Sequence, residues 1–296
     1  MKTSIIIPSI LMLILLSGCI EQTPSTQCGN EGLVVMDYNV NPVEVLPGYT
    51  ATITFWLENR GEADAENVEV NFFDLQGLEV VDILCEGGTR NEMGCLIPKI
   101  VGGKDCLGDK KKFSATLKVP ENKGIMDNPK ISFSIIYRYA GSSEMNFRIY
   151  KPEAMSKLGT KIYSSTKGPL RVEINPDFLL RRIEDNGEQT VTEWLEEGQH
   201  FTVKVNFIRT TATQDSEINL EDLRIDYQYI EPASEGRCDF IGGRPNKPLD
   251  NLLEEPLVCD MIASNINQEW VLGSIKLDYS YAHKMRMTQD FNIKQN

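Results

Sequence analysis

The feature that most constrains this chain is alternation, because apolar side chains recur at every second position in one short run after another. Period two is the signature of an extended strand with one face in a core and the other in water. Val34, Met36, Tyr38 and Val40 share one parity, and Ala51, Ile53, Phe55 and Leu57 share another. Val68, Val70 and Phe72 follow, then Phe113, Ala115, Leu117 and Val119, then Ile131, Phe133 and Ile135. Turn formers separate the runs: Asn41-Pro42, Pro47-Gly48, Asn59-Arg60-Gly61, Gly87-Gly88, Gly102-Gly103, Asn128-Pro129 and Gly141-Ser142. Short strands punctuated this regularly predict an all-β chain built as antiparallel sheets stacked in a sandwich.

The second half repeats the plan of the first. Setting Gly48 against Gly198 places Ala51, Ile53, Phe55 and Leu57 against Phe201, Val203, Val205 and Phe207. Tyr38-Asn39-Val40-Asn41-Pro42 matches Val172-Glu173-Ile174-Asn175-Pro176, and Tyr137-Arg138-Tyr139 matches Tyr279-Ser280-Tyr281. Each tyrosine pair is followed by a predicted polar turn and a last strand, Met145–Tyr150 in one half and Thr288–Lys294 in the other. Matched landmarks in the same order argue for two copies of one architecture.

The chain opens with Met1-Lys2-Thr3-Ser4, an apolar run from Ile5 to Leu16, and Ser17-Gly18-Cys19. This run is a secretory signal, too short for the roughly 20 apolar residues of a spanning helix. Leu16-Ser17-Gly18-Cys19 looks like a prokaryotic lipobox, in which the Cys19 thiol is acylated and becomes the new N-terminus. The expected division is a signal peptide at 1–18, a lipidated tether at 19–31, a first module at 32–152, a linker at 153–167 and a second module at 168–296. The tether is rich in Thr, Pro, Ser, Gln and Gly, a composition that lifts a domain from a surface without folding.

Seven cysteines become six once Cys19 carries lipid, and an even number in an exported chain argues for disulfides. Cys28, Cys85, Cys95 and Cys106 fall in the first half, Cys238 and Cys259 in the second, so each half can close its bridges internally. Cys238 therefore pairs with Cys259, whereas four cysteines in the first half allow three pairings. The repeat favours one of them. Cys85 follows a strand ending at Leu84 and Cys95 precedes Leu96-Ile97, much as Cys238 follows the Leu223–Ile230 run and Cys259 precedes Met261-Ile262. That match gives Cys85–Cys95 and leaves Cys28 for Cys106.

The formal charge is −13, and losing the segment before Cys19 removes only Lys2, which leaves −14. Such a balance argues against nucleic acid, whose binding needs Lys and Arg on phosphates. Catalytic patterns are lacking as well. The two histidines, His200 and His283, are far apart in sequence, and no Gly-x-Ser-x-Gly elbow or phosphate loop occurs. Carboxylates cluster at Glu193, Glu196 and Glu197 around Trp194, and at Asp215, Glu217, Glu221 and Asp222, as 43 acidic residues would arrange by chance. Glu62-Ala63-Asp64-Ala65-Glu66 and Asp185-Asn186-Gly187-Glu188 offer the hard oxygens calcium prefers, without EF-hand spacing. No cofactor is expected, calcium being the one candidate. Alternation sets Trp56 opposite Phe55 and Phe73 opposite Phe72, so Trp56 and Phe73 are the candidate contacts for a ligand or partner.

Thr52-Ile53-Thr54-Phe55-Trp56-Leu57-Glu58-Asn59-Arg60-Gly61, followed by Ala65-Glu66-Asn67-Val68-Glu69-Val70, resembles the central strands of the immunoglobulin-like modules of prokaryotic surface proteins, the CARDB and NEW3 type. The resemblance covers Val34 to Tyr150. In the second half Ile208-Arg209-Thr210 stands where the Asn-x-Gly turn should be. It implies two tandem immunoglobulin-like antiparallel β-sandwich domains without catalytic residues, used as spacers, adhesion units or docking platforms. The expected protein is not an enzyme. It faces the extracytoplasmic side of a cell membrane, held by its lipid, with another envelope or surface protein as partner. The alternative is an accessory lipoprotein that binds a carbohydrate or calcium for a transporter or envelope enzyme.

Overall fold

The computed structural model describes residues 31–103, 108–121, 129–152, 162–177, 180–185, 188–193, 195–210 and 215–294. Cys19, Cys28, Cys106 and Trp194 lie outside them, and so does the expected Cys28–Cys106 bridge. The chain is almost entirely β, with antiparallel sheets stacked as sandwiches. Four strands form a first outer sheet in the order Leu33–Asn41, Thr50–Asn59, Lys110–Lys118, Glu79–Cys85. Four more form a second outer sheet in the order Leu170–Asp177, His200–Arg209, Leu257–Ala263, Ile230–Pro232. The alternation predicted from sequence supplies the buried faces of their central strands, but in Leu33–Asn41 a bulge at Asp37 switches the parity, so that Leu33 and Val35 rather than Val34 and Met36 share the core side with Tyr38 and Val40. Ala51, Ile53, Phe55 and Leu57 are buried in the first sheet, and Phe201, Val203, Val205 and Phe207 in the second.

Gly48 and Gly198 both take the left-handed conformation, at φ 85° and 80°, two residues before the equivalent ten-residue strands Thr50–Asn59 and His200–Arg209. A side chain at such a φ would be strained, and each glycine lets the chain turn tightly into its strand.

Both outer sheets lie against one shared sheet. Its path runs Ser216–Gln228, Trp270–Asp290, Lys130–Tyr150, Ala65–Asp74, Gly94–Ile100, Thr89–Arg90. Phe55 and Phe113 of the first outer sheet meet Phe133 and Phe72 of the shared one, with centroids 5.0 Å apart for Phe55–Phe133 and 5.9 Å for Phe72–Phe113. Phe201 of the second outer sheet meets Phe147 edge-on at 6.4 Å.

Here the structure corrects the expected ends of the two halves. Gly141-Ser142 is not a turn and Met145–Tyr150 is not a separate strand, because both lie inside the 21-residue strand Lys130–Tyr150. Likewise no turn follows Tyr281; residues up to Asp290 continue the 21-residue strand Trp270–Asp290. The two strands pair antiparallel along their whole length, from Trp270 opposite Tyr150 to Asp290 opposite Lys130. Ala140 faces Ser280 at the midpoint, with ten rows on either side. Each long strand thus starts in its own half and ends in the other. Backbone groups that a hairpin would have satisfied locally are satisfied by a strand some 140 residues away, an exchange that local patterning cannot reveal.

The chain end ties the halves again. Phe291 is fully buried, its N–H donates to the Pro129 carbonyl at 2.9 Å, and Asn292–Ile293 pairs parallel with Glu44–Val45 in the first half. Of the predicted Thr288–Lys294 strand, only this two-residue piece is separate.

The two disulfides that fall among the described residues are the expected ones, Cys85–Cys95 and Cys238–Cys259. Their roles differ although the repeat suggested equivalence. Cys85 ends a strand of the first outer sheet and Cys95 lies in the shared sheet, so this bridge crosses the core. Cys238 faces Cys259 directly as an isolated antiparallel pair, so the second bridge clips a loop to its own sheet.

Candidate functional site

The crossing of the long strands concentrates the polar chemistry of the core. Tyr137 and Tyr139 alternate into the interior from one strand, Tyr279, Tyr281 and His283 from the other, and all are buried. Pairing sets Tyr139 against Tyr281 and Tyr137 against His283. Their polar atoms reach the first strand of each half. The Leu33 N–H donates to the Tyr137 hydroxyl at 3.2 Å, and the Leu170 N–H donates to the Tyr281 hydroxyl at 3.2 Å. The Tyr139 hydroxyl accepts from Ala63 N–H at 3.0 Å and donates to the Lys167 carbonyl at 3.3 Å. By role, therefore, Tyr137 corresponds to Tyr281 rather than to Tyr279, two residues from the sequence match. Burial pushes all four phenols upward, Tyr279 to about 12, so none ionises near neutrality.

His283 is fully buried and its Nδ1 lies 2.7 Å from the Tyr137 hydroxyl. We assign the tautomer with its hydrogen on Nε2, in which the Tyr137 hydroxyl accepts from Leu33 N–H and donates its own proton to Nδ1. Nε2 is buried without a partner among the described residues. Burial, with the Arg209 charge second, lowers the imidazole from 6.5 to about 4.

Asn59-Arg60-Gly61 acquires a physical reason at this crossing. The Asn59 amide is buried and fully used: it donates to the Ala63 and Ile100 carbonyls at 2.9 and 3.0 Å and accepts from Gly61 N–H at 3.0 Å. A side chain at Gly61 would run into the Tyr139 hydroxyl. In the second half, Thr210 N–H instead donates to the Pro169 carbonyl at 2.9 Å, as Arg60 N–H does to Gly32 at 2.8 Å.

On the solvent side of the same crossing, Ala140, Ser142 and Ser280 are too small to fill the sheet face. They leave an open trough of about 770 Å³ flanked by Glu62, Asp222, Asp278 and Arg224. Farther along this face the charges are paired, Arg138 with Glu221 at 3.0 Å and Arg286 with Glu217 at 3.0 Å.

The remaining sequence candidates do not converge. Trp56 is half-buried on the outer face of the first outer sheet, with Lys112 over its ring at 6.0 Å. Phe73 is 56% exposed on the shared sheet, so the two aromatics belong to different faces of the sandwich. In the Glu62–Glu66 loop, Asp64 pairs with Lys99 and accepts from Gly102 N–H, and Glu62 accepts from Lys167 N–H at 3.1 Å. Asp185 faces Glu188 across a hairpin whose turn lies outside the described residues. His200 lines a cleft with Asp177, Glu235 and Asp260, but Asp260 is occupied by Thr202 and by Arg237 N–H. Among the described residues, no three His, Cys, Asp or Glu side chains are grouped to hold a metal ion. No described helix is long and apolar enough to cross a membrane.

Sequence reasoning missed the tyrosine and histidine cluster because Tyr137, Tyr281 and His283 look like ordinary inward positions of alternating strands. The available signal was a buried-parity histidine in a chain holding two.

No protein-family model matches this chain, and no curated protein matches it. Among solved structures it has weak likeness to the secreted serine protease VesC from Vibrio cholerae, at 10% identity and TM-score 0.20, covering 92% of this chain and 53% of that one. The chain thus spans about half the length of that protease. Collagen adhesin from S. aureus is similar at 9% identity and TM-score 0.15, covering 86% of this chain and 87% of that one. Likeness at this level carries no argument about activity or partners.

Proposed function

We propose that this chain is a non-catalytic lipoprotein of the cell envelope that serves as a structural, adhesion or docking component. Residues 1–18 are removed, Cys19 is acylated, and the tether at 19–31 leads into two immunoglobulin-like modules of the CARDB and NEW3 type, at 32–152 and 168–296, each completed by a strand of the other. The observation that carries the reading is the crossing. Two strands of roughly 70 Å, at about 3.3 Å per residue, fuse both sandwiches through one sheet. A beam of this kind suits holding partners at a fixed spacing better than closing around a substrate. Leu16-Ser17-Gly18-Cys19 supports the membrane attachment.

Substituting Cys19→Ala is expected to leave the folded part intact and to move the protein from the membrane fraction to the soluble or unprocessed pool, since a lipid supplies the affinity. Unchanged processing with detergent-resistant membrane association would reject the lipoprotein reading. A second reading, an accessory lipoprotein that binds a carbohydrate or calcium, is favoured by the open trough over Ala140 and Ser280. Saturable calorimetric binding of either ligand would select it.

A further inference from the structure

The hydroxyl of Tyr137 joins three separate parts of the chain. It belongs to one long strand, it bonds His283 of the other, and it accepts the N–H of Leu33, where the first strand begins. That first strand is the edge of its sheet, and its pairing is interrupted. Leu33–Met36 pairs with Asn59–Trp56, Asn39–Asn41 pairs with Thr54–Thr52, and between them the register shifts at Asp37, which takes φ 52°. The segment Gly32–Met36 can therefore peel away as a unit up to this bulge without disturbing the rest of the ladder.

We propose that His283 is a proton-sensing latch that holds Gly32–Met36, the segment joining the fold to its N-terminal tether, and releases it in acid. A neutral ring accepts the Tyr137 proton. A protonated ring cannot, so the phenol O–H loses this acceptor and the new Nδ1–H competes with the Leu33 N–H for the phenol oxygen. Among the described residues the charge also goes uncompensated. Tyr137, Tyr139 and Tyr281 face the ring from the two long strands, and the neighbouring Ser216–Gln228 strand sets Ile218 beside it. Glu217 of that strand is turned outward to Arg286 and Lys284, and Glu31 is drawn to Arg60 at 3.9 Å. The charged group that acts on the ring is Arg209, which repels a second cation.

The closed form holds the imidazole near 4, whereas an exposed one titrates near 6.5. Closure is therefore fully supported above pH 6.5 and weakens progressively as pH falls toward 4.

Hydrogen exchange read by mass spectrometry on the mature chain with its disulfides intact tests the latch. After correction for intrinsic rates, Gly32–Met36 is expected to exchange roughly 50-fold faster at pH 4.5 than at pH 7, with the second outer sheet unchanged. His283→Asn keeps an acceptor for Tyr137 but cannot titrate, and it should abolish the acid component. Tyr137→Phe should make the segment exchange rapidly at both pH values. Equal acid sensitivity in wild type and His283→Asn would overturn the proposal. If the Asn variant fails to fold, NMR titration of the wild-type imidazole decides instead: the exchange transition must coincide with ring protonation, and opening while the ring stays neutral would overturn the latch.

Discussion

Buried phenols in this protein differ in what their oxygens do, and that difference makes them separable by mutation. The Tyr281 hydroxyl receives the Leu170 N–H, so Tyr281→Phe leaves a buried donor unsatisfied and is expected to cost about 1–2 kcal/mol in urea denaturation. The Tyr38 hydroxyl is buried without a partner among the described residues, and burial pushes it up to about 12. Tyr38→Phe removes a desolvated group that gains nothing from the fold, so it should be neutral or slightly stabilising in the same assay. A comparable loss in both variants would refute this account of the core. At this scale the sequence was half legible. Alternation set Trp56 outward from Phe55 correctly, and Phe73 outward from Phe72. It could not say that they belong to different sheets, because parity fixes the side of a strand but not which sheet the strand joins. Asn59-Arg60-Gly61 read as a turn, yet the Asn59 bond to Ile100 spans 41 residues and has no local trace.

Among the elements, the strands at the margins of the shared sheet show how its edges are managed. Ser216–Gln228 presents Glu217, Glu221, Asp222 and Asp226 among its outward positions, and such charges discourage another strand from adding to the edge. Phe291 and Asn292–Ile293 act as a clasp. Phe291 fills a buried site and Ile293 pairs beside Val45, both in the half opposite to their own. Phe291→Ala is expected to cost about 3–5 kcal/mol. It should raise hydrogen exchange in Glu44–Val45 and Lys130–Phe133 more than in the second outer sheet. A loss confined to the second half would show that the clasp does not couple the two. The sequence did signal a last strand at Thr288–Lys294, but Phe291 and Ile293 gave no hint of the half they serve.

For the whole molecule, the long-strand crossing makes a specific demand on fragments. A chain ending at Pro152 leaves Gly141–Tyr150 without its second-half partner, and one starting at Gly168 leaves Lys284–Asp290 without its first-half partner. Unpaired strands of this length invite association. The fragments Gly32–Pro152 and Gly168–Asn296 are expected to self-associate or remain protease-sensitive alone, and to form a stable one-to-one complex when mixed or co-expressed, read by light scattering. Two inert monomers that ignore each other would contradict the crossing. The sequence by itself determined the β class, the parity of the buried faces from Ala51 onward, the turn glycines Gly48 and Gly198 that lead into matching strands, and the Cys238–Cys259 pair, whereas for Cys85–Cys95 it left three pairings open. Period two, turn glycines and the count of cysteines in a half are all written locally in the chain. Only the tertiary structure decided that Ala140-Gly141-Ser142 runs straight, that each half is completed by the other's strand, and that His283 meets Tyr137. Those outcomes turn on which distant backbone satisfies a hydrogen bond, and two strands of equal parity and length satisfy it equally well on paper until the whole chain is packed.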